Sequence, residues 1–409
     1  MKDRHRDSER QPPVRYHHNS LGACLKDLKL NRLNKSLTCY SCLMRKTPVY
    51  LYALAFFLLP ALATGSPITA AFLYSNGVMT NLGVLPGGNP TGDSGNADGI
   101  NNAGQIVGWA SVGFGVYHPF LRTNGVMHDL GVLPGGDYGA AQGINNIGQV
   151  VGTSRVGDAT THAFLYSNGV MTDIGNLPGG YMIQPLGGIN DAGQVAGVAY
   201  LPGGNYPFLY SNGVMTDLST FLGGRTGYAR DINNVGQVVG EFRVGVGVDH
   251  AFLYSNGVMT DLTTLPGVGL TGVSGINDAG QMVGSVQNNS HAVLYSNGVI
   301  TDLGTLPGGT FSVARAINNV GQVVGYGDAG VGVYHAFLYS NGVMTDLGVL
   351  PGADRSFAHG INDSGQVVGQ SYTLEGGIDV NPVPEPTTLA MMSSALVLGG
   401  LMIRFRRRS

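Results

Sequence analysis

The sequence predicts an all-β protein whose central part, residues 67–375, is a seven-bladed β-propeller built from seven repeats of about 44 residues. Two motifs alternate along this part of the chain. The first reads AFLYSNGVMTNLG at residues 71–83 and AFLYSNGVMTDLG at residues 336–348. The second reads GINNAGQIVG at residues 99–108 and INNVGQVVG at residues 317–325. Seven copies of each at a nearly fixed period are typical of a repeat architecture.

The first motif predicts a β-hairpin. Each copy places an Asn-Gly pair between two apolar segments. Both central residues of a type I′ turn need positive φ, and Asn and Gly adopt it readily. The asparagines of these turns are Asn76, Asn124, Asn168, Asn212, Asn256, Asn297 and Asn341.

The second motif predicts another hairpin in every repeat. In the copy at residues 141–152, a turn-forming Asn-Ile-Gly separates a short apolar segment from the β-branched segment 149–152. A Leu-Pro-Gly-Gly sequence at residues 177–180 predicts a further turn. Four strands in a repeat of this length match a propeller blade. An open β-solenoid is the alternative, although solenoids usually have atypical terminal repeats.

The order of the motifs predicts how the ring closes. The repeats start on a first-motif hairpin at Ala71 and end on a second-motif hairpin at residues 360–372. If each blade joins a second-motif hairpin to the first-motif hairpin that follows it, the first hairpin of the chain completes the last blade. If blades follow chain order instead, closure depends on side-chain packing alone. We favour the first arrangement, a clasp.

Charge argues against nucleic acid as a partner, and cysteine content argues against disulfides in the repeats. Residues 67–383 contain seven arginines, no lysine and twenty acidic residues, a net charge of −13. Phosphate binding needs a basic face, so nucleic acid is not expected as a partner. All three cysteines precede residue 47, so no disulfide framework is expected in the repeats.

Residues 44–63 predict a signal peptide. Arg45 and Lys46 precede an apolar run at 49–62, and Ala61 and Ala63 are small residues of the kind that signal peptidase recognises. We place the cut after Ala63. The apolar run is shorter than the roughly 20 residues that a membrane-spanning helix needs. Residues 1–43 form a polar extension; synthesis starting at Met44 and a genuine extended leader are both open.

The C-terminal residues predict a linker at 376–383 and a sorting signal at 384–409. Pro384, Glu385 and Pro386 precede an apolar run at 387–403, and an arginine-rich end follows. Such a run can just cross a bilayer, with the arginines on the cytoplasmic side.

This ending resembles the bacterial PEP-CTERM sorting signal. The resemblance implies a Gram-negative exporter that also makes exopolysaccharide. It implies that a membrane protease, exosortase, recognises Pro384-Glu385-Pro386 and removes the tail, so that the segment 387–403 holds the precursor in the inner membrane only transiently. A plain C-terminal anchor is the alternative.

The repeats resemble the HAF family of bacterial extracellular repeats, named for the His-Ala-Phe found at residues 162–164, 250–252 and 335–337. The copies at 118–120, 206–208, 291–293 and 70–72 depart from this tripeptide. The family carries no activity that can be assigned to particular residues.

Two repeated features are candidate metal sites. Five histidines share one strand position, and a circle of imidazoles could bind a metal or sense pH. Two copies lack the histidine, so a structural role is favoured. The Asn-Asx-x-Gly-Gln turns lack the spacing of a calcium loop, and side-chain bonds within a tight turn are expected instead. The histidines are His118, His162, His250, His291 and His335. No metal or cofactor is expected.

Seven near-identical units argue against a single catalytic constellation, so the sequence predicts a protein that is not an enzyme. The leading hypothesis is a secreted, surface-sorted structural or binding repeat protein of the exopolysaccharide or biofilm matrix. Specificity is expected where copies differ, as in segments 153–161, 241–249 and 326–334. The alternatives are a polysaccharide-active enzyme with a pocket over the propeller channel and a calcium-stiffened adhesin.

Overall fold

The computed structural model describes residues 69–88, 94–113, 115–157, 160–286, 290–330 and 332–373. The extension 1–43, the signal peptide 44–63, the linker 376–383 and the sorting signal 384–409 lie outside these residues and remain predictions. So does the predicted membrane-spanning helix at 387–403. Within the ranges just given, no helix has the length and apolar character needed to cross a membrane.

The described residues form seven antiparallel four-stranded sheets. The strands are β1 (Thr69–Ser75), β2 (Val78–Asn81), β3 (Gly95–Ile100), β4 (Ile106–Gly113), β5 (Val116–Thr123), β6 (Val126–Asp129), β7 (Gly139–Ile144), β8 (Val150–Arg155), β9 (Thr161–Ser167), β10 (Val170–Gly175), β11 (Met182–Ile189), β12 (Val195–Leu201), β13 (Gly204–Ser211), β14 (Val214–Asp217), β15 (Gly227–Ile232), β16 (Val238–Gly245), β17 (Val248–Ser255), β18 (Val258–Asp261), β19 (Leu270–Ile276), β20 (Met282–Val286), β21 (Val293–Ser296), β22 (Val299–Asp302), β23 (Ser312–Ile317), β24 (Val323–Gly330), β25 (Val333–Ser340), β26 (Val343–Asp346), β27 (Arg355–Ile361) and β28 (Val367–Tyr372).

Each sheet is one propeller blade. Blades 1 to 6 are β3–β6, β7–β10, β11–β14, β15–β18, β19–β22 and β23–β26, and blade 7 combines β27 and β28 with β1 and β2. In every blade the second motif joins the inner strand to the second strand, and the first motif forms the outer hairpin. The predicted seven-bladed propeller is therefore confirmed, and the open-solenoid alternative is wrong.

The ring closes through the predicted clasp. Strand β1 pairs antiparallel with β28, in a register that runs from Thr69 opposite Tyr372 to Tyr74 opposite Val367. The first hairpin of the repeats therefore supplies the two outer strands of the last blade. Every blade obtains its four strands from within residues 69–373.

The predicted turns have the expected backbone. All seven asparagines of the Asn-Gly turns have φ between 50° and 52°, and the glycine after each also has positive φ. In the Leu-Pro-Gly-Gly turns, the second glycine donates to the leucine carbonyl, as from Gly136 to Leu133 at 2.9 Å. One connection differs, because a 3₁₀ helix at Leu218–Leu222 replaces this turn after blade 3. The repeat pattern does not predict that helix.

The hydrophobic core lies between neighbouring blades. One cluster joins Ala97, Ile106 and Phe120 of blade 1 to Ala71 and Val368 of blade 7. The phenylalanine of the first motif is fully buried in six of the seven blades. These residues are Phe72, Phe120, Phe164, Phe208, Phe252 and Phe337. Around the ring, hydrogen-bonded sheets therefore alternate with layers of apolar side chains. The inner strands of the sheets surround the central axis.

Candidate functional site: the central channel

The inner strands of the seven blades surround a channel that contains two cavities. We call the end with the Asn-Gly and second-motif turns the ring face, and the opposite end, with the loops between second and third strands, the loop face. The ring-face cavity has a volume of about 180 Å³ and the loop-face cavity about 530 Å³. Isoleucines separate them, since Ile100, Ile144 and Ile361 line both.

A closed circle of seven asparagines, the asparagine ring, ties each blade to the next. Asn101 shows the pattern: its Oδ1 accepts from the backbone N–H of Gln105 at 2.9 Å, and its Nδ2 donates to the backbone carbonyl of Asn145 in the next blade at 3.0 Å. The equivalent inter-blade bonds measure 2.9 to 3.1 Å, and the last runs from Asn362 back to Asn101. The members are Asn101, Asn145, Asn190, Asn233, Asn277, Asn318 and Asn362.

The residues that follow these asparagines form a second circle, the outer ring. The backbone N–H of Asn102 donates to Oδ1 of Asn146 at 3.0 Å, and the circle closes from the N–H of Asp363 to Oδ1 of Asn102 at 2.9 Å. The members are Asn102, Asn146, Asp191, Asn234, Asp278, Asn319 and Asp363. The expected side-chain bonding of these turns is confirmed, but it reaches between blades as well as within them.

The five repeated histidines lie in separate blades. In each, Nδ1 lies 2.7 to 3.0 Å from an aspartate oxygen on the neighbouring outer strand of the same blade. That aspartate also accepts a backbone N–H two residues later, as Asp173 does from Gly175 at 2.7 Å. The structural interpretation of the histidines therefore agrees with the geometry. Within the described part of the chain, no three His, Cys, Asp or Glu side chains form a group that could hold a metal ion.

The wall of the loop-face cavity differs from blade to blade. In blade 1 it is made by Asn96 and Asp98 of the inner strand and by Trp109 of the second strand. Between these positions lie small buried residues such as Ala97. The position of Asp98 is taken in successive blades by a carboxylate, an amide, an aliphatic, a cationic, a hydroxyl, a cationic and an imidazole side chain. These residues are Asp98, Gln142, Leu186, Arg230, Ser274, Arg315 and His359.

Charged groups of the wall lie close to opposite charges or to aromatic rings. Asp98 Oδ1 lies 3.4 Å from Nδ1 of His359 and accepts from Nδ2 of Asn96 at 2.7 Å. Arg230 Nε donates to Glu241 Oε1 at 3.1 Å. The guanidinium of Arg230 also lies 4.7 Å from a tyrosine ring centroid. The charged side chains of the wall are therefore largely compensated.

Two buried amide oxygens of the wall have no hydrogen-bond donor among the described residues: Oδ1 of Asn96 and Oε1 of Gln142. Asn96 is only 4% exposed. Trp109 stands directly opposite Asn96 in the register of β3 and β4, and Tyr117 packs against the indole at right angles, with centroids 5.0 Å apart. An acceptor without a donor in a buried position is costly, so these oxygens need a donor that the described side chains and backbone do not supply.

The segments singled out by sequence as variable contribute only their first residues to this region. Thr153 accepts from Nε2 of Gln142, Glu241 pairs with Arg230, and Tyr326 lies under the guanidinium of Arg315. The other residues of segments 153–161, 241–249 and 326–334 that the structure describes belong to second strands, third strands and the loops between them.

The sequence analysis missed most of the cavity wall. Asn96, Trp109, Gln142 and His359 were not singled out. A signal was available in the sequence, because the copies of the repeat differ at these positions. In blade 1 the positions are Asn96 and Asp98, shortly before the invariant Ile-Asn pair, and Trp109, directly after the glycine of the second strand. The predicted recognition residues of the signal peptidase and exosortase sites (Ala61, Ala63, Pro384, Glu385, Pro386) lie outside the described residues.

Comparison with known proteins finds distant matches among solved structures. No family model and no curated protein matches this sequence. Putative TolB from Agrobacterium tumefaciens is 11% identical, with a TM-score of 0.42, over 76% of this chain and 100% of that chain. The β-propeller domain of the Trilobed protease from Pyrococcus furiosus is 10% identical, with a TM-score of 0.42, over 66% and 85%. TolB from Acinetobacter baumannii is 12% identical, with a TM-score of 0.38, and this chain spans 63% of its length. These are similarities of fold.

The asparagine ring predicts a specific sensitivity to charge. In Asn277→Asp the side chain loses its donor and directs a carboxylate at the carbonyl of Asn318 and the amide oxygen of Gln281, which accept at 3.1 and 2.8 Å. We expect a loss of at least about 2 kcal/mol in the free energy of unfolding, measured by denaturant titration. Asn297→Asp, at an exposed Asn-Gly turn that Asp tolerates, should cost less than about 0.5 kcal/mol. Equal losses in the two variants would contradict the role of the ring.

Asp231 predicts a pH dependence of stability. It stands where the other blades have Gly or Ala, and its Oδ2 accepts from the backbone N–H of Ile276 in the next blade at 2.9 Å. Burial raises the pKa of this carboxyl to about 7 in the folded protein, although bonds from the N–H groups of Ile276 and Ile232 oppose the shift.

An unfolded chain releases this proton near pH 4, so the folded state holds it between about pH 4 and 7. The wild type should therefore lose stability relative to Asp231→Asn as pH rises through that window, by at most about 1.4 kcal/mol per pH unit, and show no further relative change above it. Denaturant titrations at several pH values measure the difference. A difference that is constant from pH 4 to 8 would refute the shift.

Proposed function

We propose that this protein is an exported binding module of a bacterial polysaccharide matrix, and that it holds its ligand in the loop-face cavity. A propeller fits a binding or a structural role. A binding role is supported by one observation above others: the blades repeat almost everywhere but differ at the positions that line this cavity. A passive scaffold of identical blades has no need for six kinds of side chain at one position around a cavity.

The composition of the cavity supports a saccharide as ligand. Its volume of about 530 Å³ falls within the roughly 300–1,000 Å³ of ordinary ligand pockets. Trp109, Phe311 and Phe357 line it together with amide and hydroxyl side chains. Sugar rings have an apolar C–H face that packs on aromatic rings and hydroxyl groups that need hydrogen-bond partners. A wall that mixes aromatic and amide groups suits both.

Binding without turnover is the proposed activity. Three carboxyl groups outside the two rings line the cavity: Asp98, Asp231 and Glu241. Asp231 accepts from the backbone N–H groups of Ile276 and Ile232, whereas Asp98 and Glu241 are each paired with a basic side chain. A general acid or base needs a carboxyl group that can exchange a proton with the substrate, and pairing of this kind opposes that role. Burial raises the pKa of Asp231 to about 7, so this carboxyl is the one described group of the wall that suits the polysaccharide-active enzyme. The calcium-stiffened adhesin is not favoured by any observation of the described residues.

Export is supported by the sequence segments at the two ends of the chain. Residues 44–63 have the composition of a signal peptide, and residues 384–409 resemble a PEP-CTERM signal. Signal peptidase and exosortase would then be transient partners, and the inner membrane would hold the precursor through 387–403. The processed protein would reach the cell surface or the extracellular matrix.

Trp109 provides a direct test of binding, because it is the single tryptophan of the chain. We expect the purified protein to bind at least one structure on a glycan array, and that glycan to change the tryptophan emission saturably without release of reducing ends. Trp109→Ala should abolish binding measured by calorimetry. Phe221→Ala, which removes an aromatic ring outside the cavity, should retain it. Absence of any glycan binding, or production of reducing ends, would overturn the proposal.

The sorting step has its own test in the native host. Replacement of Pro384, Glu385 and Pro386 by alanine should leave the tail attached and the protein in the membrane fraction, as shown by cell fractionation and mass spectrometry of the C-terminal peptide. Pro382→Ala, in the adjacent linker, is the matched control and should be processed normally. Equal processing of both variants would contradict recognition of Pro384-Glu385-Pro386.

A further inference from the structure

We infer that the ligand of the loop-face cavity is a neutral saccharide that donates one hydroxyl hydrogen bond to Oδ1 of Asn96 and another to Oε1 of Gln142. This inference rests on the proposed function and adds to it the chemical class of the ligand and the two atoms that anchor it. The two residues stand on the inner strands of adjacent blades and line one cavity.

The unmatched hydrogen-bonding capacity of the wall consists of acceptors. The nitrogen of each amide is already engaged: Nδ2 of Asn96 donates to Asp98 at 2.7 Å, and Nε2 of Gln142 donates to Thr153 Oγ1 at 3.1 Å. Both amides are thereby held with their oxygens directed away from these partners and without a donor. A ligand that fits them must bring hydrogen-bond donors.

Charge compensation favours neutral donors over cationic ones. Asp98, the carboxylate nearest to Asn96, faces His359 at 3.4 Å. Glu241, on the opposite side of the ring, pairs with Arg230. Asp231, the third carboxyl of the wall outside the rings, is buried and accepts from the backbone N–H of Ile276. A primary amine or a cationic peptide would therefore find all three carboxyl groups already engaged. Hydroxyl groups need no countercharge, and each can donate to one amide oxygen.

An aromatic surface lies beside the first anchor. Trp109 is opposite Asn96 across the strand pair, so both side chains stand on the same face of blade 1 and at the cavity. The ring of Tyr117 packs edge-on against the indole, with the two ring centroids 5.0 Å apart. A sugar ring stacked on Trp109 would present its edge hydroxyl groups to the neighbouring amide oxygens. A linear polyol or an inorganic anion would use only part of this arrangement.

Calorimetry with three sets of probes tests the inference on the full-length protein in mild detergent. The probes are neutral cello-, malto- and galacto-oligosaccharides, uronic acid oligosaccharides, and diamines with short basic peptides. We expect binding from the neutral set. Gln142→Met should weaken the tightest neutral probe about tenfold, the loss of one hydrogen bond. Gln142→Glu, which keeps an acceptor oxygen, should stay within about threefold of the wild type.

Gln184→Met is the matched control, because the oxygen of Gln184, unlike those of Asn96 and Gln142, already accepts from the Tyr200 hydroxyl at 2.9 Å. Thermal unfolding of each variant verifies that the ring is intact, and Asn96→Ala provides a second removal of an acceptor. Unchanged affinity in Gln142→Met and Asn96→Ala overturns the inference and leaves the proposed function standing. Tighter binding of the uronic or amine set also overturns it. No binding by any set would instead remove the proposed function.

Discussion

The hydrogen bond from each member of the asparagine ring to the backbone of the next blade is the interaction on which the geometry of the channel depends. One buried side chain closes its own turn and binds the neighbouring blade at the same time. The bond recurs seven times within 2.9 to 3.1 Å, so the ends of the inner strands are held alike. An amide is the group that can do this, because it accepts and donates from adjacent atoms.

A uniform frame allows the opposite end of the channel to vary. Each inner strand alternates small residues that pack between blades, such as Ala97, with side chains that reach the axis, such as Asp98. The period of two along a strand keeps these sets apart. Changes on the channel side therefore leave the core between the blades intact. The alternation of side chains along each inner strand therefore allows a varied cavity wall beside a constant core.

Local signals were sufficient for the fold. Asn-Gly pairs, Leu-Pro-Gly-Gly turns and motif order specify hairpins and the clasp, because each depends on residues close in sequence or on simple counting. The partners of Asn101 could not be predicted, since a single repeat shows its turn but no neighbour. The cavity wall was missed for a related reason. His359 meets Asp98 only after the ring has closed, and near-identity of the copies drew attention away from the few positions where they differ.

The clasp has a consequence for the order of events during synthesis. Thr69 pairs with Tyr372, so the first hairpin waits for roughly 300 further residues before its sheet can form, a contact of very high sequence separation. A ribosome delivers the two halves of blade 7 at the start and at the end. The ring of blades therefore cannot close before β28 has been synthesised, and the hairpin of β1 and β2 has no partner strand in its sheet until then.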